Sequence, residues 1–197
     1  MLTEYETAAD DNVLRKLRQE LERLQKYQNS HVLLVKRTAN NRRIPCLAAA
    51  FPDAKYIFLV RDGRSVAASL TKVHWWNEHS VWWANRQTPL QMQAEGENML
   101  GIAAKNWTEE MRCINEGLRH VMKKDVMMIR YEDILTNPHK CIHLILQHIG
   151  VNPLEVHDHA ISNLELSDSM SWKKWNKEEM DRVLSIQTDF LRQYGYL

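Results

Sequence analysis

The twenty residues from Phe51 to Leu70, FPDAKYIFLVRDGRSVAASL, constrain the fold of this chain more than any other stretch. Phe51, Pro52 and Asp53 make a turn, and Tyr56 to Val60 form a continuous apolar, β-rich run, the pattern of a strand covered on both faces of a parallel sheet. The run ends at Arg61. Asp62 and Gly63 permit a sharp bend, and from Arg64 the sequence suits a helix through Val66, Ala67, Ala68 and Leu70. Arg61 is thereby placed at the carboxyl end of a strand and beside a helix amino terminus, whose unpaired N–H groups and dipole favour negative charge. Ligands of open α/β sheets gather on that edge. Ser69 follows Arg61 by eight positions on the helical face of Ser65, so its hydroxyl and the guanidinium can share one phosphate. A scaffold role fits the same residues, with Arg61 paired to Asp62 or a neighbouring carboxylate and Ser69 a small packing residue. Spacing alone does not choose between them.

Around this segment the pattern predicts an α/β protein, a short parallel sheet flanked by helices. Strands are expected near 31–36, 55–60 and 125–130, and helices near 10–28, 41–50, 64–73, 138–149, 153–164 and 176–194. Residues 74–92 read as irregular or short-helical, and Gln93 to Met122 as one long helix softened at Gly96, Gly101 and Gly117. Pro138 suits a helix start and Gly150 its stop, while Asn176 with Glu179 resembles a capping box. Leu14, Leu17, Leu21 and Leu24 make Val13 to Tyr27 an amphipathic helix expected to pack against the sheet, the pattern being too short for a coiled-coil seam. With no repeat and no linker, residues 1–197 are expected to form one domain, and three strands are few enough to suggest that one is missing.

Composition narrows the partners. The 26 basic and 25 acidic residues nearly cancel, so no general field steers the protein to nucleic acid or to an anionic membrane, and a mononucleotide needs only a local basic cluster. Cys46, Cys113 and Cys141 are odd in number and lack CxxC or metal spacing, which suits reduced thiols in a cytoplasmic setting with no bound metal. No apolar run has the length of a membrane span, and MLTEYETAADD is unlike a signal peptide; the expectation is a soluble protein.

Other residues are candidates for chemistry. HVLLV reads as a strand that delivers Lys36 to the same sheet edge as Arg61, where an ammonium can stabilise a transferring charge. Asn40 and Asn41 follow, as turn residues capping the next helix or as groups that orient a hydroxyl; an Asn cannot accept its proton. His74, Glu78 and His79 are the titratable groups nearest the anion-site helix in sequence, and each also suits an ordinary loop position. Trp75, Trp76, Trp82 and Trp83 either anchor a long connection to the core, the favoured reading, or line an acceptor pocket. Lys173 and Lys174 lie between Trp172 and Trp175, as anion ligands or as solvated lysines. The carboxylates of Tyr131-Glu132-Asp133 suit helix capping or a structural ion pair.

FPDAKYIFLVRDGRSVAASL resembles the second nucleotide-binding segment of the sulfotransferases that use 3′-phosphoadenosine 5′-phosphosulfate (PAPS), in which an Arg and a Ser at this spacing hold the 3′-phosphate. Arg61 and Ser69 fall on those positions. The likeness continues upstream in LLVKRTANNRRIPCLAAAFPDA, and downstream in MIRYEDILTNPHKCIHLILQHIGV and in WKKWNKEEMDRVLSIQTDFLRQYGYL with its Gly-Tyr finish, so it runs from about His31 to Leu197. It implies a P-loop NTPase-like three-layer domain, PAPS or its product PAP as nucleotide co-substrate, and a hydroxyl or amine acceptor. Lys36 takes the place of a Lys near the sulfate, Asn40 that of a catalytic His, and Lys173 and Lys174 that of a late basic segment folding over the nucleotide. The family's opening Gly-Ser/Thr-rich phosphosulfate loop has no counterpart, since Met1 to Asn29 contains no Gly. Two expectations stay open: an enzyme read from an incomplete amino terminus, and a non-catalytic nucleotide- or partner-binding remnant. A nucleotide-kinase relative shares the sheet but has no role for the Arg–Ser pair, and no Walker motif is present.

Overall fold

The computed structural model describes residues 10–152 and 170–197. They divide into two compact units, one of Met1–Tyr56 with Arg112–Val126, the other of Ile57–Met111 with Met127–Leu197. The helix expected near 153–164 lies outside the described residues.

The first unit is helical. Helix α1 (Asp11–Tyr27) starts where the Asp10 carboxylate accepts the Val13 N–H, and helix α2 (Ile44–Ala50) follows a 3-10 turn over Thr38–Arg42. Within the unit α1 packs on α2, and the Arg18 guanidinium donates to the terminal carbonyls of Ala49 and Ala50, closing the end of α2. No residue of α1 is buried. The leucine stripe is too narrow to cover a sheet, and the rest of the helix is charged, so the expected sheet-packed helix is a surface one. Residues 31–36 form no strand, contrary to expectation, and Val32, Leu34 and Val35 are 41%, 73% and 45% exposed. An apolar run becomes a strand only where a neighbour takes up its N–H and C=O groups, and no ladder forms here. The buried Asp125 carboxylate pairs with Lys55.

The second unit holds the sheet. Strands β1 (Tyr56–Val60) and β2 (Val126–Arg130), expected from their apolar runs, pair side by side in a two-stranded parallel sheet. Helix α3 (Gly63–Leu70) leaves the end of β1, and after β2 come α7 (Tyr131–Thr136) and α8 (Pro138–His148), which opens on the Asn137 cap and Pro138. The 74–92 region contains two short helices, α4 (His74–Glu78) and α5 (Pro89–Ala94), the second opened by a Thr88–Gln91 capping box. The long helix expected over 93–122 is α6 (Met99–Leu118). It begins late because the chain turns at Gly96, whose φ of +99° suits glycine, and because Asn98 Oδ1 accepts the Gly101 N–H. The last helix, α9 (Lys177–Gln193), has the anticipated Asn176–Glu179 capping box.

Ala67, Trp76, Val81, Met92, Ile102, Ala103, Ala104 and Val183 form one buried cluster among the described residues of this unit, and Ile129, Ile134 and Cys141 form another beside β2. Gly63 belongs to the first turn of α3, directly after the bend from β1 that the sequence predicts. Its role is close approach: a Cβ here would lie 2.6 Å from Trp107 Cε3 and 2.7 Å from Gln187 Oε1. Gln187 is fully buried and donates through Nε2 to the carbonyls of Gly63 (3.1 Å) and Ala104 (3.3 Å), joining α3, α6 and α9. Gly63→Ala is therefore expected to cost about 1–3 kcal/mol by overpacking. Urea unfolding would register this as a lower midpoint at unchanged slope; an unaltered midpoint would mean that Trp107 and Gln187 retreat without cost.

Candidate functional site

The corner between β1 and α3 is assembled from short-range rules and then held by distant residues. Asp62 is the amino cap of α3, its carboxylate accepting the Arg64 N–H at 2.9 Å. The same carboxylate, 7% exposed, takes a two-pronged contact from the Arg64 guanidinium, Nε to Oδ1 at 3.0 Å and Nη2 to Oδ2 at 2.8 Å. Arg64 thus neutralises Asp62, and it also stacks over the Trp172 ring at 4.1 Å. The Asp62 carboxylate is thus paired with Arg64. Arg61 itself is half-buried, its guanidinium carbon 4.7 Å from the centroid of the Tyr131 ring.

Across the sheet the first residues of α7 face this corner. The backbone N–H of Asp62 donates to Glu132 Oε1 at 3.0 Å, and the Tyr196 hydroxyl donates to Glu132 Oε2 at 2.6 Å. Tyr196 is in turn pinned by its neighbours: Arg64 Nη2 donates to its carbonyl at 3.0 Å, and the Arg130 guanidinium lies over its ring at 4.3 Å. Gly195, at φ +72°, turns the tail so that its own carbonyl accepts from Arg130 Nη1 at 3.3 Å. Glu132 serves neither as a cap nor as an ion-pair partner in these contacts, as its sequence context had suggested; it bridges two strand ends and the carboxyl-terminal tail.

Of the residues singled out in the sequence, Arg61, Ser69, His74, Lys173 and Lys174 belong to this unit. Ser69 is exposed in the last turn of α3, and Lys173 and Lys174 are exposed on the 3-10 turn Ser171–Lys174, which packs against α3. The turn that carries these sequence-distant lysines therefore packs on the helix that carries Ser69. His74 is exposed at the start of α4. Lys36 and Asn40 belong to the other unit. Lys36 ends an irregular stretch and not a strand, which removes the sheet-edge argument for it, and Asn40 is part of the 3-10 turn, where Arg43 and not an Asn precedes α2.

The tryptophans divide as the favoured reading required. Trp76 is buried, while Trp82 and Trp83 donate their indole N–H groups to Glu110 (2.8 Å) and Asn106 (2.9 Å) on α6, anchoring the connection. Trp75, 62% exposed, packs edge-on against His79. The three cysteines are free; burial raises the Cys46 and Cys141 thiols, leaving neither an activated thiolate. Among the described residues no cluster of His, Cys, Asp or Glu could hold a metal, and no helix is long and apolar enough to cross a membrane.

Arg64, Glu132 and Tyr196 were missed as site components because each is an ordinary surface-type residue until the chain folds. Gln187 left a signal: it stands at the four-residue spacing of Val183 and Leu191, inside the apolar stripe of α9.

Burial, followed by the Glu132 contact, raises the Tyr196 phenol above its ordinary value. The folded state then holds this proton more tightly than the unfolded chain, so the stability it contributes is complete below about pH 10 and is lost as pH rises further. Tyr196→Phe should flatten the alkaline limb of a stability–pH curve; identical limbs above about pH 10 would show the hydroxyl to be solvated.

Set beside known proteins, the chain matches the model of the sulfotransferase family over residues 3–155. Among solved structures it is similar to the "Sulfotransferase Domain from the Curacin Biosynthetic Pathway", at 21% identity and a TM-score of 0.55, over 86% of this chain and 66% of that one. The chain thus spans just under two thirds of that domain, and the likeness carries the fold, a P-loop NTPase-like one. No curated protein matches.

Proposed function

This chain belongs to the sulfotransferase family, and from that premise we propose that its β1–α3 corner binds the 3′-phosphate of PAPS for sulfuryl transfer to an acceptor hydroxyl or amine. The observation that carries the reading is the corner itself, where Arg61 follows the end of β1 and directly precedes the Asp62-capped amino end of α3. The donor set suits a dianion: one guanidinium on a rigid strand end, the amino end of α3, and the Ser69 hydroxyl farther along that helix. Lys173 and Lys174 bring further positive charge to α3.

In the proposed reaction the acceptor oxygen or nitrogen forms a bond to sulfur as the bond from sulfur to the 5′-phosphate oxygen breaks, and the acceptor proton passes to a base. Positioning and charge stabilisation dominate such a loose transfer. On family resemblance Lys36 is assigned the charge-stabilising role and Asn40 the place of the catalytic His, while His74 is a candidate base as a titratable group near the anion-site helix in sequence. A second reading, a nucleotide-binding protein without transfer activity, is favoured by Asn40, which stands where relatives place a His and cannot take a proton at neutral pH.

Isothermal titration with adenosine 3′,5′-bisphosphate tests the binding claim. Micromolar affinity is expected, with Arg61→Ala weakening it about tenfold or more and Ser69→Ala less. Failure of the unsubstituted protein to bind, or equal binding by Arg61→Ala, would refute it. Transfer of labelled sulfate from PAPS to a panel of hydroxyl and amine acceptors then separates an enzyme from a binding protein.

A further inference from the structure

We propose that the carboxyl-terminal Tyr196, acting through Glu132, is a positioning residue of the anion site and sets how strongly the Arg61 corner grips a 3′-phosphate. The inference rests on the nucleotide-binding reading and extends it to residues far from Arg61 in sequence. Arg61 and Asp62 are consecutive, so whatever fixes the Asp62 amide fixes the strand end from which the guanidinium projects. That amide is held by Glu132 Oε1 at 3.0 Å. Glu132 in turn is held by the Tyr196 hydroxyl at 2.6 Å, and the residue preceding Glu132 supplies the ring under the Arg61 guanidinium at 4.7 Å. A shift of the Glu132 turn therefore moves both supports of Arg61 together.

The tail is built to hold that turn still. Tyr196 is locked from three directions: its hydroxyl on Glu132, its carbonyl on Arg64 Nη2 at 3.0 Å, and its ring beneath Arg130 at 4.3 Å. Arg64 belongs to the first turn of α3, so the tail is tied to the helix amino end as well as to both strand ends. A site placed within a few tenths of an ångström by supporting hydrogen bonds loses affinity when one support goes, even though that support never touches the ligand.

The test compares two nucleotides on the full chain, adenosine 3′,5′-bisphosphate and adenosine 5′-monophosphate, which lacks the 3′-phosphate. Tyr196→Phe keeps the ring and deletes one hydroxyl. It should weaken the bisphosphate about five- to tenfold and leave the monophosphate within about twofold. Glu132→Ala should do the same or more, and Glu132→Gln, which retains an oxygen for the Asp62 amide, should recover part of the loss. Melting temperatures are measured in parallel. A lower melting temperature with an unchanged ratio of the two affinities would reduce the clasp to a structural role and overturn the proposal. If the unsubstituted protein prefers the bisphosphate but the variants keep that preference, only the positioning claim falls. If it binds both nucleotides equally or neither, the anion-site reading falls and takes the positioning claim with it.

Discussion

The Glu132 carboxylate is the joint on which the sheet-bearing unit turns. Two five-residue parallel strands are a marginal sheet, too short to hold their carboxyl ends in register by ladder bonds alone. Glu132 stands at the end of one strand and accepts the Asp62 amide at the end of the other, while its second oxygen takes the Tyr196 hydroxyl. Hydrogen bonds to a charged acceptor are worth about 1.5–3 kcal/mol each, more than neutral ones. Both of its oxygens are thus hydrogen-bonded, which offsets the cost of drawing the carboxylate partly out of water.

Charge is partitioned around that joint with little overlap. Arg64 is committed to Asp62, the Tyr196 carbonyl and the Trp172 face, and Arg130 to the tail. The Arg61 guanidinium carbon lies over the Tyr131 ring. The three arginines thus gather at the ends of the two strands.

Much of this was legible in particular residues. The apolar runs 56–60 and 126–130 gave the strands, and the Asn176–Glu179 and Pro138 signals gave helix starts to within a residue, because caps and proline act over four positions of chain. The run HVLLV misled because it has the composition of a buried strand yet pairs with no strand among the described residues. Gly63 was read only in part: glycine serves both bends and close packing, and only the distances to Trp107 and Gln187 reveal the second. Of the candidate site, Arg61, Ser69 and the two late lysines are what the sequence offers; that Asp62 pairs with Arg64 is read from the folded geometry.

The sequence by itself determined what is local: which segments become helices or strands, where Arg61 leaves its strand, and that Asp62 caps the helix after it. Those outcomes depend on dihedral preferences and on hydrogen bonds within a turn or two of chain. Tertiary structure alone decided that the turn bearing Lys173 and Lys174 lies on the helix of Ser69, and that the last tyrosine braces the first strand. These depend on contacts between residues 64 to 136 positions apart, such as Tyr196 with Glu132 and with Val60, for which no short-range pattern in the chain carries information.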